Sequence, residues 1–251
     1  MSKQHHERFK DAPWYPLALS TTILLGGAGG IGSWVAFLLA RAGFRVMVYD
    51  HDTVEEINIG GQFYSVQDTG KPKVEALRNN ILNLTGDIIT IANEKVDEKT
   101  VTHDFVITAF DNMKARRDMF ESWCRGNTEN SLFIDGRLNA EQMWIYCVKN
   151  NHLDIENYAK LLFDDSEIEE APCTMKQTTH SAVMIASHIV AFLTNHITNI
   201  TNGDMDRTVP FSWEYIIPIN LVTEEEYYET ITTTTRKEGD NDTINNKDTE
   251  T

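Results

Sequence analysis

ILLGGAGGIGSWVAFLLARAGFRVMVYDHD, residues 23–52, decides how this chain is read. An apolar run over residues 21–25 predicts a strand that ends in glycines. Residues 31–42 follow with Val35, Leu38 and Leu39 on one helical stripe, and Gly43 marks the stop. Residues 45–49 predict a second strand, closing on Asp50 and Asp52. Gly27, Gly29 and Gly32 spell G-x-G-x-x-G, with Gly30 inside it. A strand–turn–helix of this kind sets a phosphate at a helix N-terminus, where free N–H groups and the helix dipole favour an anion. The acid that follows about 20 residues later is where a ribose hydroxyl is expected. The four glycines, Asp50 and Asp52 are therefore the expected nucleotide-binding residues. The turn alone leaves open whether that nucleotide is a redox cofactor or a reactant.

Working outward, residues 1–20 read as a polar N-terminal arm with Trp14, Tyr15 and two prolines, its His5 and His6 solvated. Residues 74–84 predict a helix after Pro72, with Val74, Leu77, Ile81 and Leu84 on one stripe. Strands are expected at 88–92, 105–109, 132–134 and 142–148, and helices at 113–124 and 178–198. Residues 150–177 read as an irregular, crossover-type loop and 211–221 as a final strand pair or one extended strand. Residues 230–251 are polar and low in complexity, which predicts a disordered tail. The main unit, 21–229, is expected to be an α/β domain: a doubly wound, mainly parallel Rossmann-like sheet with helices on both faces. In such sheets ligands bind at the carboxyl ends of the strands, and the glycine turn, Asp50 and Asp111 all fall there.

The 251 residues carry a formal charge of −16. A surface this acidic disfavours a nucleic-acid partner. Three cysteines with no C-x-x-C argue against a disulfide framework and a structural zinc, and fit a reducing, cytoplasmic setting. No signal-peptide core is evident. Residues 177–203 carry no formal charge, but their scattered polar side chains fit a buried amphipathic helix better than a membrane span. His180, His188 and His196 recur every eight residues, a spacing that spreads them around a helix and argues against a metal triad.

Four further elements follow the glycine turn: Asp50-His51-Asp52-Thr53-Val54, Asn58 through Gln62, Gly70-Lys71-Pro72-Lys73, and Phe110-Asp111-Asn112 with Arg116. In this order and spacing the series resembles the ThiF/MoeB family, whose fold is related to ubiquitin-activating enzymes. The resemblance covers roughly residues 20–200. It implies binding of ATP and magnesium and adenylation of a carboxylate, usually the C-terminus of a small ubiquitin-like or sulfur-carrier-like protein or a peptide, by a homodimer. It implies Lys73 as the cation on the phosphates and Asp111 as the magnesium ligand, a role that suits a hard oxygen anion. Asp50 would accept from ribose hydroxyls, Asn58 and Gln62 would add polar contacts, and Arg116 would hold its helix in place. Pro172-Cys173-Thr174 resembles the family's thioester-forming segment, which would make Cys173 a nucleophile; Cys124 and Cys147 read as packed.

One position departs from the pattern. Gly61 precedes Gln62 where the family has an arginine on the terminal phosphates. A backbone nest at Gly60-Gly61, Arg8 from a partner's arm, or Arg137 could stand in. The departure keeps a second reading open, a nucleotide-binding scaffold with weak or lost turnover. A tRNA-modifying cyclase-type relative is a third, and a Rossmann oxidoreductase a fourth that Lys73 and Asp111 disfavour.

Overall fold

The structure is a computed structural model and describes residues 4–163, 178–203 and 206–226. Cys173 and the tail at 230–251 lie outside the described residues.

Three apolar runs make the centre of the sheet: β1 (Thr22–Gly26), β4 (Phe105–Thr108) and β5 (Leu132–Asn139). Strands covered on both faces need near-continuous hydrophobic sequence; β1 and β4 have it, and β5 has it over residues 132–134 before turning polar at Asp135. With β2 (Arg45–Tyr49), β3 (Thr90–Ala92), β6 (Gln142–Lys149), β7 (Ser212–Ile216) and β8 (Leu221–Glu225) they form one eight-stranded sheet, ordered β3-β2-β1-β4-β5-β6-β7-β8. The first five strands are parallel; β6, β7 and β8 run antiparallel. Strand order reverses between β1 and β4, so the carboxyl ends of those strands open a crevice at the switch point.

Successive residues point to opposite faces. Ile23, Leu25, Ile107 and Ile134 pack under α2 (Gly30–Ala42), α3 (Lys73–Thr85) and α6 (Thr179–Thr201). Leu24, Val106 and Phe133 pack under α4 (Met113–Gly126) and α5 (His152–Lys160), through Phe120, Trp123 and Tyr158. The predicted α/β sheet with helices on both faces is the one observed. Helix α2 ends on Gly43, whose φ of 94° is the left-handed cap a glycine provides. Helix α6 is the one described helix long and apolar enough to cross a membrane. Here it lies against α2 and β5, with Ile185, Ile189, Phe192 and Ile197 in the core.

Several details differ from the sequence reading. Part of the expected irregular loop is helix α5, started by Asn151, whose Oδ1 accepts from the Asp154 N–H at 2.8 Å. Leu84 is exposed and Thr85 takes the buried place, because the stripe drifts with a 3.6-residue turn. The arm packs against the C-terminal end of α2 and the residue leading into β2. Trp14 stacks on Phe44 with centroids 5.9 Å apart, and α1 (Tyr15–Ala18) buries Ala18. His6 is buried, not solvated, with Nε2 3.1 Å from Asp87 Oδ2.

Candidate active site at the switch point

The turn after β1 gives each of its motif glycines a different task. Gly27 has φ 94°, and a Cβ there would lie 2.8 Å from the Ala109 carbonyl oxygen. A Cβ on Gly32 would fall 1.9 Å from the Gly27 oxygen, so helix and turn can close only on hydrogen. Gly29, the N-cap of α2, meets nothing within 4 Å at its Cβ position. That open space faces the cleft and leaves bare backbone for a ligand to approach.

Asp50 is buried and holds this turn. Its Oδ2 accepts from the Ala28 N–H at 2.7 Å and its Oδ1 from the Asp52 N–H at 2.8 Å. Tyr64 Oη donates to the Ala28 carbonyl at 2.7 Å, and Ser33 Oγ accepts from the Phe63 N–H at 3.0 Å. The connection after β2 is thereby fastened over the turn.

The same connection delivers Lys73. An isolated bridge pairs Thr53 with Pro72, and the Lys73 N–H donates to the Asp52 carbonyl at 2.8 Å. Lys73 then starts α3 with its side chain 10% exposed, and its Nζ donates to Asp52 Oδ2 at 2.8 Å. That bond is the largest influence on the Asp52 carboxyl and holds it below the usual range, against the opposing pull of desolvation. Asp111 follows β4 and stays exposed; its Oδ1 accepts from Asn112 Nδ2 at 3.3 Å. Asn112 caps α4, its Oδ1 accepting from the Ala115 N–H at 2.8 Å.

Gly27, Gly29, Gly30, Asp50, Asp52, Gln62, Lys73 and Asp111 line one cleft of about 1040 Å³. Two predicted residues do not reach it. Gly32 is spent on packing, and Asn58 turns its Oδ1 back onto the Glu55 N–H at 2.9 Å, capping its own short turn. Gln62 does line it, and its buried Oε1 makes no hydrogen bond. A cation could be held by Asp111 or by the Asp50, His51 and Asp52 group, whose ligand atoms lie within 4.8 Å of one another.

At the departing position, Gly61 itself supplies no charge. The Gly61 N–H donates to the Asn58 carbonyl at 3.2 Å, which removes that N–H from any backbone nest. The Gly61 carbonyl accepts from Trp34 Nε1 at 3.0 Å and the Gly60 carbonyl from Thr179 Oγ1 at 2.6 Å. Arg8 is not on the cleft wall; Arg137 is. Arg116 does brace α4, bonding Asp135 and the Phe110 carbonyl, and the Gly136 carbonyl at 3.1 Å. Burial pushes the Cys124 thiol up to about 11 and raises Cys147 as well, so neither is an activated nucleophile. The sequence reading missed Trp144, Tyr146 and Phe163 on the cleft wall. The alternation of 142–148 marked a strand, but nothing local said which of its faces met the cleft.

The ThiF family profile matches residues 16–218. This chain belongs to the ThiF family. Among curated proteins it is 32% identical over 115 residues to ubiquitin-like modifier-activating enzyme 5 of Caenorhabditis briggsae, covering 45% of this chain and 23% of that protein. It is also 32% identical over 120 residues to tRNA threonylcarbamoyladenosine dehydratase of Haemophilus influenzae, covering 44% of this chain and 45% of that protein. The matched stretch thus spans less than half of either relative. Solved structures share the fold: PaaA superposes with a TM-score of 0.67 at 17% identity, covering 89% of this chain and 72% of that one. Escherichia coli MccB with ATP gives 0.65 at 16% identity, over 85% and 65%.

Proposed function

We propose that this ThiF-family chain consumes ATP to adenylate a carboxylate, and that the carboxylate is the C-terminus of a small ubiquitin-like or sulfur-carrier-like protein or of a peptide. One observation carries the reading: an open glycine cradle, a buried lysine and an exposed carboxylate share a single cleft. Phosphates lie at the α2 N-terminus over Gly29. Lys73 offsets their charge and is held in place by Asp52. Asp50 and Asp52 take the ribose hydroxyls, Asp50 through the lone pairs its backbone bonds leave free, and the unpartnered Gln62 Oε1 accepts from the nucleoside. Asp111 is the magnesium ligand; a bound magnesium would neutralise triphosphate charge there.

In the reaction an oxygen of the substrate carboxylate forms a bond to the α-phosphorus. The bond to the bridging oxygen breaks, pyrophosphate departs with that electron pair, and an acyl adenylate remains. Cys173 would then take the acyl group as a thioester and release AMP; its support is the Pro172-Cys173-Thr174 sequence alone. A homodimer working in the cytoplasm completes the reading, resting on the family resemblance and cysteine usage.

A second reading, a scaffold that binds nucleotide with little or no turnover, is favoured by Gly61, whose N–H and carbonyl are both committed and which offers no cation. The dehydratase relative raises a tRNA-linked substrate, which the charge of −16 disfavours. Carboxylate-dependent exchange of labelled pyrophosphate into ATP separates these. Exchange supports adenylation; ATP binding without exchange across free-acid peptides selects the scaffold. NADH binding in place of ATP would sink both.

A further inference from the structure

The far wall of the cleft holds a charge that the adenylation reading leaves unused. Arg116 and Arg137 share one carboxylate, Asp135, which is fully buried. Burial pushes the Asp135 carboxyl up, but the two guanidiniums and the Thr108 hydroxyl, which donates to it at 2.8 Å, outweigh that and hold it ionised. Two guanidiniums on one carboxylate leave one net positive charge. Arg116 spends its donors inside the protein, on Asp135, Phe110 and Gly136. Arg137 does not. Its Nε donates to Asp135 Oδ2 at 2.7 Å and its Nη1 to the Leu161 carbonyl at 3.3 Å, but its Nη2 makes no hydrogen bond. Tyr158 lies beside the guanidinium, its ring centre 6.0 Å from the Arg137 Cζ. The acid next across the sheet, Glu214, is engaged by Gln142 and Thr223. A buried excess charge with an unspent donor on a cleft wall calls for an anion.

Position narrows which anion. Across the sheet the cleft is bordered in turn by Asp50 after β2, the glycine turn after β1, Asp111 after β4, Arg137 on β5 and Trp144 on β6. Neighbouring strands are about 4.8 Å apart, so β5 lies roughly 10 Å from the glycine turn, on the side of Asp111 away from Asp50. The guanidinium leans further away still, with its Cζ 4.8 Å from the centre of the Tyr146 ring on β6. Trp144 and Tyr146 form an aromatic strip beside it on the same face, since they pair with Arg137 and Asp135.

We infer that Arg137 positions the carboxylate of the acyl substrate, with the substrate's preceding backbone lying along Trp144 and Tyr146. The planar fork of arginine matches a carboxylate, and stacking on Tyr146 fixes its plane. The site restores a cation to the cleft that Gly61 lacks, on the acyl side and not on the terminal phosphates. This rests on the adenylation reading, and the two fail differently.

The test uses the full chain saturated with magnesium and AMPCPP. A heptapeptide ending in Gly-Gly is titrated as the free acid and as the C-terminal amide. The acid is expected to bind at least about tenfold tighter. Arg137→Gln should cut that preference below about twofold while AMPCPP affinity stays within about twofold, and Arg137→Lys should keep part of it. If Arg137→Gln melts below the assay temperature, Arg137→Lys decides alone, with a loss of preference of about threefold or more expected. A variant that loses AMPCPP affinity but keeps the acid preference overturns the assignment, because the guanidinium then serves the phosphates. A wild-type chain that binds AMPCPP but does not prefer the acid overturns it too, leaving adenylation standing. Absence of AMPCPP binding ends both.

Discussion

Gly29 and Gly32 sit three residues apart in one turn under opposite constraints. A methyl on Gly32 would meet the Gly27 oxygen at 1.9 Å, a backbone atom that cannot swing aside. Gly32→Ala should therefore destabilise the fold by about 3 kcal/mol or more, seen as a lower urea midpoint. A methyl on Gly29 meets nothing within 4 Å and fills only the cradle. Gly29→Ala should keep the wild-type midpoint within about 0.5 kcal/mol and lose ATP binding; normal ATP affinity in that variant would mean the phosphates sit elsewhere. Lys73 is the other residue whose role can be isolated. Its Nζ is the main cause of the lowered Asp52 pKa, so Lys73→Ala should let Asp52 titrate in the ordinary carboxylate range while pyrophosphate exchange falls about 10²- to 10³-fold. Asp111→Ala should abolish exchange and leave Asp52 unmoved. An Asp52 titration unchanged in Lys73→Ala would break the pair as a functional unit.

Among the elements, the arm is the one whose position the sequence concealed. Its anchors are far apart in the chain: Trp14 lies on Phe44, and His6 reaches Asp87, 81 residues away. Trp14→Ala should cost about 2 kcal/mol, less than a fully buried tryptophan because Trp14 is half-buried, and lower the melting temperature. A change within error would mean the arm is a loose appendage. The contrast with β2 explains what was legible. Residues 45–49 were read to the residue because their apolar run stops at charged Asp50 and starts after a helix-ending glycine, both local signals. Helix α5 has only Ile155 and Tyr158 to mark its apolar face, too few for periodicity, although the Asn151 cap was a usable sign. The site followed the same division. Motif spacing pointed to Gly27, Gly29, Gly30, Asp50 and Asp111, each just past a strand end, and to Lys73 at a helix start, and the structure brings them to one cleft. The spacing could not tell that the oxygens of Asp50 would hold the turn, that Asn58 would cap itself, or that Arg137 would share Asp135 with Arg116. Those outcomes depend on which strands become neighbours.

At the scale of the whole molecule, acid should be the chain's weak direction. Desolvation raises the Asp68 carboxyl, but bonds from Asn80, Ser65 and Lys71 outweigh it and bring it down to about 2. Asp135 and Asp52 are lowered as well. A carboxyl whose folded pKa is depressed stays ionised when its unfolded counterpart, near 4, has already taken a proton. Its stabilisation is complete above about pH 4 and disappears as pH falls through its folded value. Asp154, raised by burial, acts in the opposite sense but is one group against three. Global stability should therefore drop between about pH 4 and pH 2 in urea melts. Asp68→Asn should flatten that slope and cost about 1–3 kcal/mol at pH 7, because the amide replaces a charged acceptor. The loss would begin where Asp68 sits, in the connection that ties Gln62 and Tyr64 to the glycine turn, so ATP affinity should fall at a higher pH than the global transition. Affinity that holds until the chain unfolds would show that the connection is not a separate unit and that the cleft is only as fragile as the sheet beneath it.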